Sequence, residues 1–326
     1  MHAPDGFLNA GTAVATAAIS AGTLGVAVRQ VRQVATEKVI PLAGISAAFI
    51  FAAQMFNFPV AAGTTGHLLG GALAAILLGP HLGAIVVTIV VVVQALLFAD
   101  GGLTAMGYNV LNMAVIPAYG GYAAFSLLRR ALPRSKGGLI GATGLAAWLS
   151  VVLSATAFSI QWLFGATAPV PFSQVFAAMV GVHALIGVGE AVICSLAVGA
   201  VLASRPDLVY GARGLDLESA GDTRVGLRTF VIGGLLAALF IAAIVSQFNF
   251  GDPDGLESVA GSEGFIESGQ EHTLVDSLFA DYATTGVANE TLSLAVAGIA
   301  GTVITLLVAW GIVLAVKEKP PSTAGS

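Results

Sequence analysis

Nine apolar stretches dominate the chain, at residues 7–28, 39–56, 66–78, 82–98, 103–127, 138–164, 174–202, 229–248 and 292–316. Most of them reach the roughly 17–25 residues that a helix needs to cross a hydrocarbon layer about 30 Å thick. Lipid offers the backbone no hydrogen-bond partners, so runs of this length are read as helices. The pattern predicts an all-α integral membrane protein, with a seven-span helical bundle followed by a two-span hairpin. The third run, 66–78, is short, and is expected either to be a partial span or to borrow length from its neighbours.

The charges give this pattern a direction. Arg29, Arg32 and Lys38 fill the first polar gap, and Arg129, Arg130, Arg134 and Lys136 fill the fourth. Positive residues favour the cytoplasm, so an even number of spans must separate the two clusters, and counting 66–78 supplies it. Arg205, Arg213, Arg224, Arg228, Lys317 and Lys319 then fall on the same side. Asp5, Asp100 and the nine acidic residues from Asp252 to Glu290 fall opposite. The N terminus is expected outside and the C terminus inside.

Three segments follow: a body at 1–205, a polar cytoplasmic linker at 206–227, and a two-span module at 228–318 whose outer loop covers about 249–291. Asp252-Pro253-Asp254-Gly255 carries turn chemistry, and the loop reads either as a small ordered cap or as a partly disordered segment. No internal repeat of the kind that builds many secondary transporters is visible.

Composition agrees with a lipid environment. Hydrophobic residues make up 56% and charged residues 10% of the 326, against about 45–50% and about 25% in soluble domains. The 41 glycines suit close helix approach in a bilayer. A net charge of −5 argues against nucleic acid as a partner. The single cysteine, Cys194, excludes a disulfide framework or a thiolate cluster and reads as a small buried side chain. No cationic region precedes the first apolar run, so a cleaved signal peptide is not expected.

Candidate chemistry begins at the terminus. With a free amine, Met1-His2 offers its α-amine, the deprotonated His2 amide nitrogen and His2 Nδ1 to one ion, closing five- and six-membered chelate rings. Three in-plane nitrogens with a fourth suit Ni²⁺ and Cu²⁺ and accept Co²⁺. Position alone favours the plainer reading of His2 as a solvated end residue. The candidate fourth ligand is His67, at the end of a Gly-rich outer loop, where an interfacial histidine bonded to a loop carbonyl is the competing reading. Gln54, Asn57, Asn109 and Asn112 are candidates for a surrounding second shell or cavity, or for interhelical hydrogen bonds. Asp100 is read as a cation attractor or as an N-cap for the fifth span.

His183 and Glu190 stand seven residues apart, on one helix face, and are read as a structural pair or a partner interface in preference to a proton relay. His81 is on the wrong side to join the site, and His272 in the acidic loop reads as surface. No G-x-x-x-x-G-K-[ST], H-E-x-x-H or G-x-S-x-G occurs, so ATP binding through a P-loop, a zincin and a serine hydrolase find no support and an enzyme is not expected. A divalent-metal permease or channel driven by an ion gradient is the alternative reading.

At these residues the chain resembles a known family. Met-His-x-Pro-Asp-Gly-Phe-Leu at 1–8, Gly-Thr-Thr-Gly-His-Leu-Leu-Gly-Gly at 63–71 and Leu-Phe-Ala-Asp-Gly-Gly-Leu-Thr at 97–104 resemble CbiM/NikM, the substrate-binding membrane subunits of energy-coupling-factor importers for cobalt and nickel. Pro253-Asp254-Gly255-Leu256-Glu257, followed by Gly264-Phe265, resembles the PDGLE or CbiN/NikN component, here fused to the first. The resemblance implies a bundle like that of other importer S-components. It implies that the Met1 amine, the His2 amide and ring nitrogens and the His67 ring hold transported Ni²⁺ or Co²⁺, with no resident cofactor. It also implies partners in the membrane: a transmembrane coupling subunit like CbiQ/NikQ and cytoplasmic ATPases like CbiO/NikO.

Overall fold

The computed structural model describes residues 1–34, 36–61, 63–215 and 225–317. Arg224 and Lys319 of the charge pattern, and the middle of the linker, lie outside them. An extended N-terminal segment leads into α1 (Ala10–Val34), whose first turn Asn9 caps through a 2.9 Å bond from Thr12 N. There follow α2 (Val39–Gln54), a hairpin of β1 (Phe58–Ala61) and β2 (Thr64–Gly66), α3 (Gly71–Leu78) and α4 (Pro80–Leu97). Next come α5 (Met106–Val110), which passes through a π-helical turn at Leu111–Val115 into α6 (Ile116–Ala131), then α7 (Lys136–Gly165) and α8 (Phe172–Ser204). The C-terminal part adds α9 (Leu227–Ala243), a short α10 (Gly255–Glu263) and α11 (Glu290–Val316).

Among the described residues seven helices are long and apolar enough to cross a membrane: α1, α4, the continuous α5–α6, α7, α8, α9 and α11. The shorter α2 is apolar along its whole length and buried at nearly every position. The chain is a multi-pass membrane protein. Two features differ from a set of nine uniform spans. The stretch at 66–78 holds a helix of only 8 residues, about 12 Å long, and it is the partial span. The segment before it forms two antiparallel strands pairing Phe58 with Gly66 and Pro59 with Thr65.

The reason lies in a carboxylate on another helix. Buried Glu190 of α8 accepts from Leu69 N at 2.6 Å and Gly70 N at 2.9 Å, satisfying amides at the start of α3 that no helical turn can serve. Gly70 at φ +81° and Gly79 at φ +88° then turn the chain sharply at either end of α3. Pro80 opens α4 at a position where its missing N–H costs nothing. Glu190 thus has the structural role expected of it, and His183 Nδ1 is held by Met179 O at 2.8 Å on the same helix.

The hairpin α9/α11 is packed into the body. On α2, Gly44 lies against the Leu306 carbonyl and Trp310 of α11, while Gly301 of α11 lies against the Phe51 ring. The acidic loop between α9 and α11 is an ordered cap. Asp254 and Glu257 close a capping box on α10. Thr65 N donates to Pro253 O at 2.9 Å, Gln270 N to Asp5 O at 2.7 Å and Asp281 N to Phe98 O at 2.9 Å. Phe98 stacks on Tyr282, with centroids 5.0 Å apart, and Phe265 sits 4.4 Å from Trp162 and 5.2 Å from Phe7. Polar backbone that would be unsatisfied in lipid is therefore paired where it enters the body.

Candidate metal centre

The N-terminal segment is threaded into the body by groups that read its backbone. Asn109 accepts from Ala3 N and donates to Ala3 O, both at 2.9 Å. Gly102 N donates to Ala3 O at 3.0 Å. Asp5, buried, accepts from Leu103 N at 3.1 Å, Ala105 N at 2.9 Å and Thr104 Oγ1 at 2.6 Å. These amides precede α5, so the carboxylate stands at a helix N terminus, where negative charge is favoured. Phe7 and Leu8 are buried behind it.

With residues 3–8 fixed, Met1 and His2 have one place to go. The Met1 amine lies 2.7 Å from His67 Nε2. His67 Nδ1 is 2.9 Å from the Leu68 carbonyl, which can only accept, so the ring proton sits on Nδ1 and the Nε2 lone pair faces the amine. The His2 ring stacks on His67, with centroids 5.2 Å apart and planes 21° from parallel. His2 Nε2 is 3.1 Å from Gln94 Oε1, and His2 Nδ1 is 3.1 Å from Asp100 Oδ1. Tyr282 donates to Asp100 at 2.6 Å and accepts from Gln94 Nε2 at 3.0 Å, closing the ring of partners. The left-handed conformation of Ala99, φ 53°, turns the chain just before Asp100.

Burial lowers the His2 pKa to about 4, against the opposing pull of Asp100, so the imidazole is neutral at neutral pH. Asp254 contacts both the Met1 ammonium and, at 3.5 Å, His67 Nε2. Burial would raise its pKa, but the Met1 ammonium outweighs that and holds it well below the ordinary carboxylate range. Burial and the Asp254 charge push neighbouring Glu257 up.

Above the two histidines opens a vestibule of about 440 Å³, walled in part by Asp100, Asp254, Glu257, His272 and Asp281. Its negative walls concentrate cations at the mouth. Gln54 and Asn57 line it as well; Gln54 Nε2 donates to Leu69 O at 2.9 Å, while its buried Oε1 has no partner among the described residues.

Of the residues singled out in the sequence, Met1, His2 and His67 come together, Asp100 touches His2 directly, and Asn109 holds the adjoining Ala3. Asp100 does not cap the fifth span; Ala105 holds the N-cap position of α5. Asn112 is paired reciprocally with Gln161 at 2.9 and 2.7 Å, a clamp between α7 and the π turn. His81 bonds Tyr119 OH at 2.9 Å, and His272 lines the vestibule instead of standing in bulk solvent. Among the described residues no three His, Cys, Asp or Glu side chains converge as a metal cage. Sequence reasoning missed Gln94, Tyr282 and Asp254. Asp254 was in view within its motif, but nothing along the chain signals a contact across 253 positions.

A family model described as the cobalt uptake substrate-specific transmembrane region, CbiM, matches residues 2–208. The chain belongs to the CbiM family. A PDGLE domain model matches residues 228–318, so this member carries the accessory module in the same chain. It is 34% identical over 306 residues to the putative fused nickel transport protein NikMN of Archaeoglobus fulgidus, covering 94% of this chain and 96% of that one. Over 251 residues it is 30% identical to the cobalt transport protein CbiM of Geobacter sulfurreducens, covering 74% and 71%. A crystal structure described as a transition metal transporter superposes with a TM-score of 0.55 at 31% identity, covering 66% of this chain and all of that one. Fold and family thus agree on a membrane protein of metal transport.

Proposed function

We propose that this CbiM-family chain is the substrate-specific membrane subunit of an energy-coupling-factor importer, and that it captures Ni²⁺ or Co²⁺ at its outer face. The observation that carries the reading is the 2.7 Å approach of the Met1 amine to a His67 Nε2 that carries no proton of its own. Two nitrogens about 2 Å from one ion, in cis positions of a square plane, stand about 2.8 Å apart. The amine, the His2 amide nitrogen and His2 Nδ1 supply the other three in-plane donors.

Loading removes one proton from the ammonium and one from the amide, while neutral His2 has none to lose at Nδ1 once its N–H is on Nε2, facing Gln94 Oε1. His2 Nδ1 gives up its contact with Asp100 and turns to the ion. Gln94 then fixes the tautomer from behind, as outer-shell acceptors do for metal-bound histidines. Cu²⁺ has the higher intrinsic affinity for such a site, so selection rests on geometry, redox state and availability.

The absence of a P-loop supports energy supplied in trans, by a coupling subunit and ATPases whose turnover reorients the binding subunit for inward release. The bonds of Glu190 and His183 to backbone groups support a structural role for both, in preference to the relay that a gradient-driven permease would need. Competition binding of Ni²⁺ and Co²⁺ to purified protein with a native terminus tests the reading. His67→Ala, and a variant with one residue added before Met1, are each expected to lose more than about 100-fold in affinity; full retention by both overturns the site.

A further inference from the structure

The C-terminal module places a charge on the metal centre that the chelate by itself does not explain. Asp254 is the N-cap of α10: its Oδ1 accepts from Leu256 N at 2.8 Å and Glu257 N at 2.9 Å. The cap occupies Oδ1 and leaves Oδ2 to accept from the Met1 amine and to stand 3.5 Å from His67 Nε2. The Asp254 side chain is only 14% exposed, so water screens it little. We propose that Asp254 is the counter-charge of the metal centre, lent by the C-terminal module to ligands that all belong to the body. The proposal rests on the ligand set given above.

The charge count makes one carboxylate sufficient for both states. In the empty site the Met1 ammonium carries +1 opposite Asp254 Oδ2. In the loaded site a divalent ion, a neutral amine, an ionised amide nitrogen and two neutral imidazoles also sum to +1, in the same place. Two protons leave to the water of the vestibule as the ion enters, so charge is conserved across the exchange.

The two states differ in what remains when the carboxylate is gone. The ammonium still donates to His67 Nε2, whereas a bound ion keeps its excess charge with no carboxylate facing it. Loss of the carboxylate therefore penalises the loaded state more than the empty one. Asp100, the other carboxylate beside the rings, is already engaged by His2 Nδ1 and the Tyr282 hydroxyl.

Asparagine caps helices about as well as aspartate, so Asp254→Asn separates charge from cap, and Asp254→Ala removes both. The experiment is nickel titration calorimetry on the full chain with native Met1, comparing these variants with wild type and His67→Ala. Asp254→Asn and Asp254→Ala are expected to lose affinity alike, by about tenfold or more. If Asp254→Asn binds within twofold of wild type, Asp254 serves only the helix and the proposal is overturned. If His67→Ala binds like wild type, the ligand set itself has failed; if His67→Ala loses affinity and Asp254→Asn does not, only the counter-charge has.

Discussion

Asn109 grips Ala3 by both of its backbone polar groups, accepting from the nitrogen and donating to the oxygen at 2.9 Å each. This pair anchors a chain end at the proposed metal centre. Terminal residues are poorly ordered unless tied down, and here the tie falls one residue after His2, so the dipeptide that would chelate the ion is held by its neighbour. Asn109→Ala is expected to lower nickel affinity by about 10–100-fold, the usual cost of removing an outer-shell partner. Titration beside His67→Ala, which should lose more, checks the ranking.

A second expectation concerns space. Gly102 passes so close to Asp5 that a β-carbon there would overlap both the Asp5 side chain and its backbone nitrogen. Gly102→Ala is expected to expel the N-terminal segment from its groove and abolish high-affinity binding, with the helical content seen by circular dichroism unchanged. Retained binding would show that the segment seats itself some other way.

Glu190 is buried in α8 and is the acceptor for two backbone amides that directly follow His67 and Leu68. Removing it leaves both buried amides unsatisfied, at about 1–3 kcal/mol for each. Glu190→Ala is expected to destabilise the protein by about 2–6 kcal/mol, read as a lower melting temperature in detergent. Glu190→Gln, which keeps one acceptor oxygen, should fall between the two.

Burial of His2 sets a pH dependence with a definite sign. Its pKa is lowered from 6.5 to about 4, so the unfolded chain binds a proton that the folded one refuses across that interval. The His2 contribution is complete above about pH 6.5 and declines as the pH falls towards 4, by up to about 3 kcal/mol in all. Asp254 is also shifted down, below the carboxylate range, so its contribution is lost only at lower pH; Glu257 is shifted up and acts with the opposite sign in this window, alike in both proteins. Between pH 6.5 and 4 the melting temperature of metal-free wild type is expected to fall relative to that of His2→Gln. Parallel curves for the two proteins would count against a buried neutral His2.

How much of this could be read along the chain differs from element to element. The long helices α1, α7, α8, α9 and α11 follow from apolar runs that only lipid accommodates. The expected short third span is present as α3, but its length is set by Glu190, more than a hundred residues away. The hairpin at 58–66 went unread because Gly63, Thr64 and Thr65 signal a turn without showing that strands flank it. His67 was found because a glycine-rich break before an apolar helix is an unusual place for an imidazole. Asn112 has the same local setting as Asn109, and only packing sends one to Gln161 and the other to Ala3.

The sequence by itself determined that the chain lives in a membrane, that its basic residues avoid the acidic segment at 249–291, and that Met1, His2 and His67 have the chemistry of a nitrogen site. These properties are local, carried by hydropathy, charge and the covalent geometry of a terminal dipeptide. The tertiary structure alone decided that the amine reaches His67, that Gln94, Asp100 and Tyr282 frame His2, and that Asp254 of the C-terminal module stands against both. Those contacts join segments far apart in the chain, and they form only where helix packing and the ordered cap bring buried polar groups into reach of the partners they need.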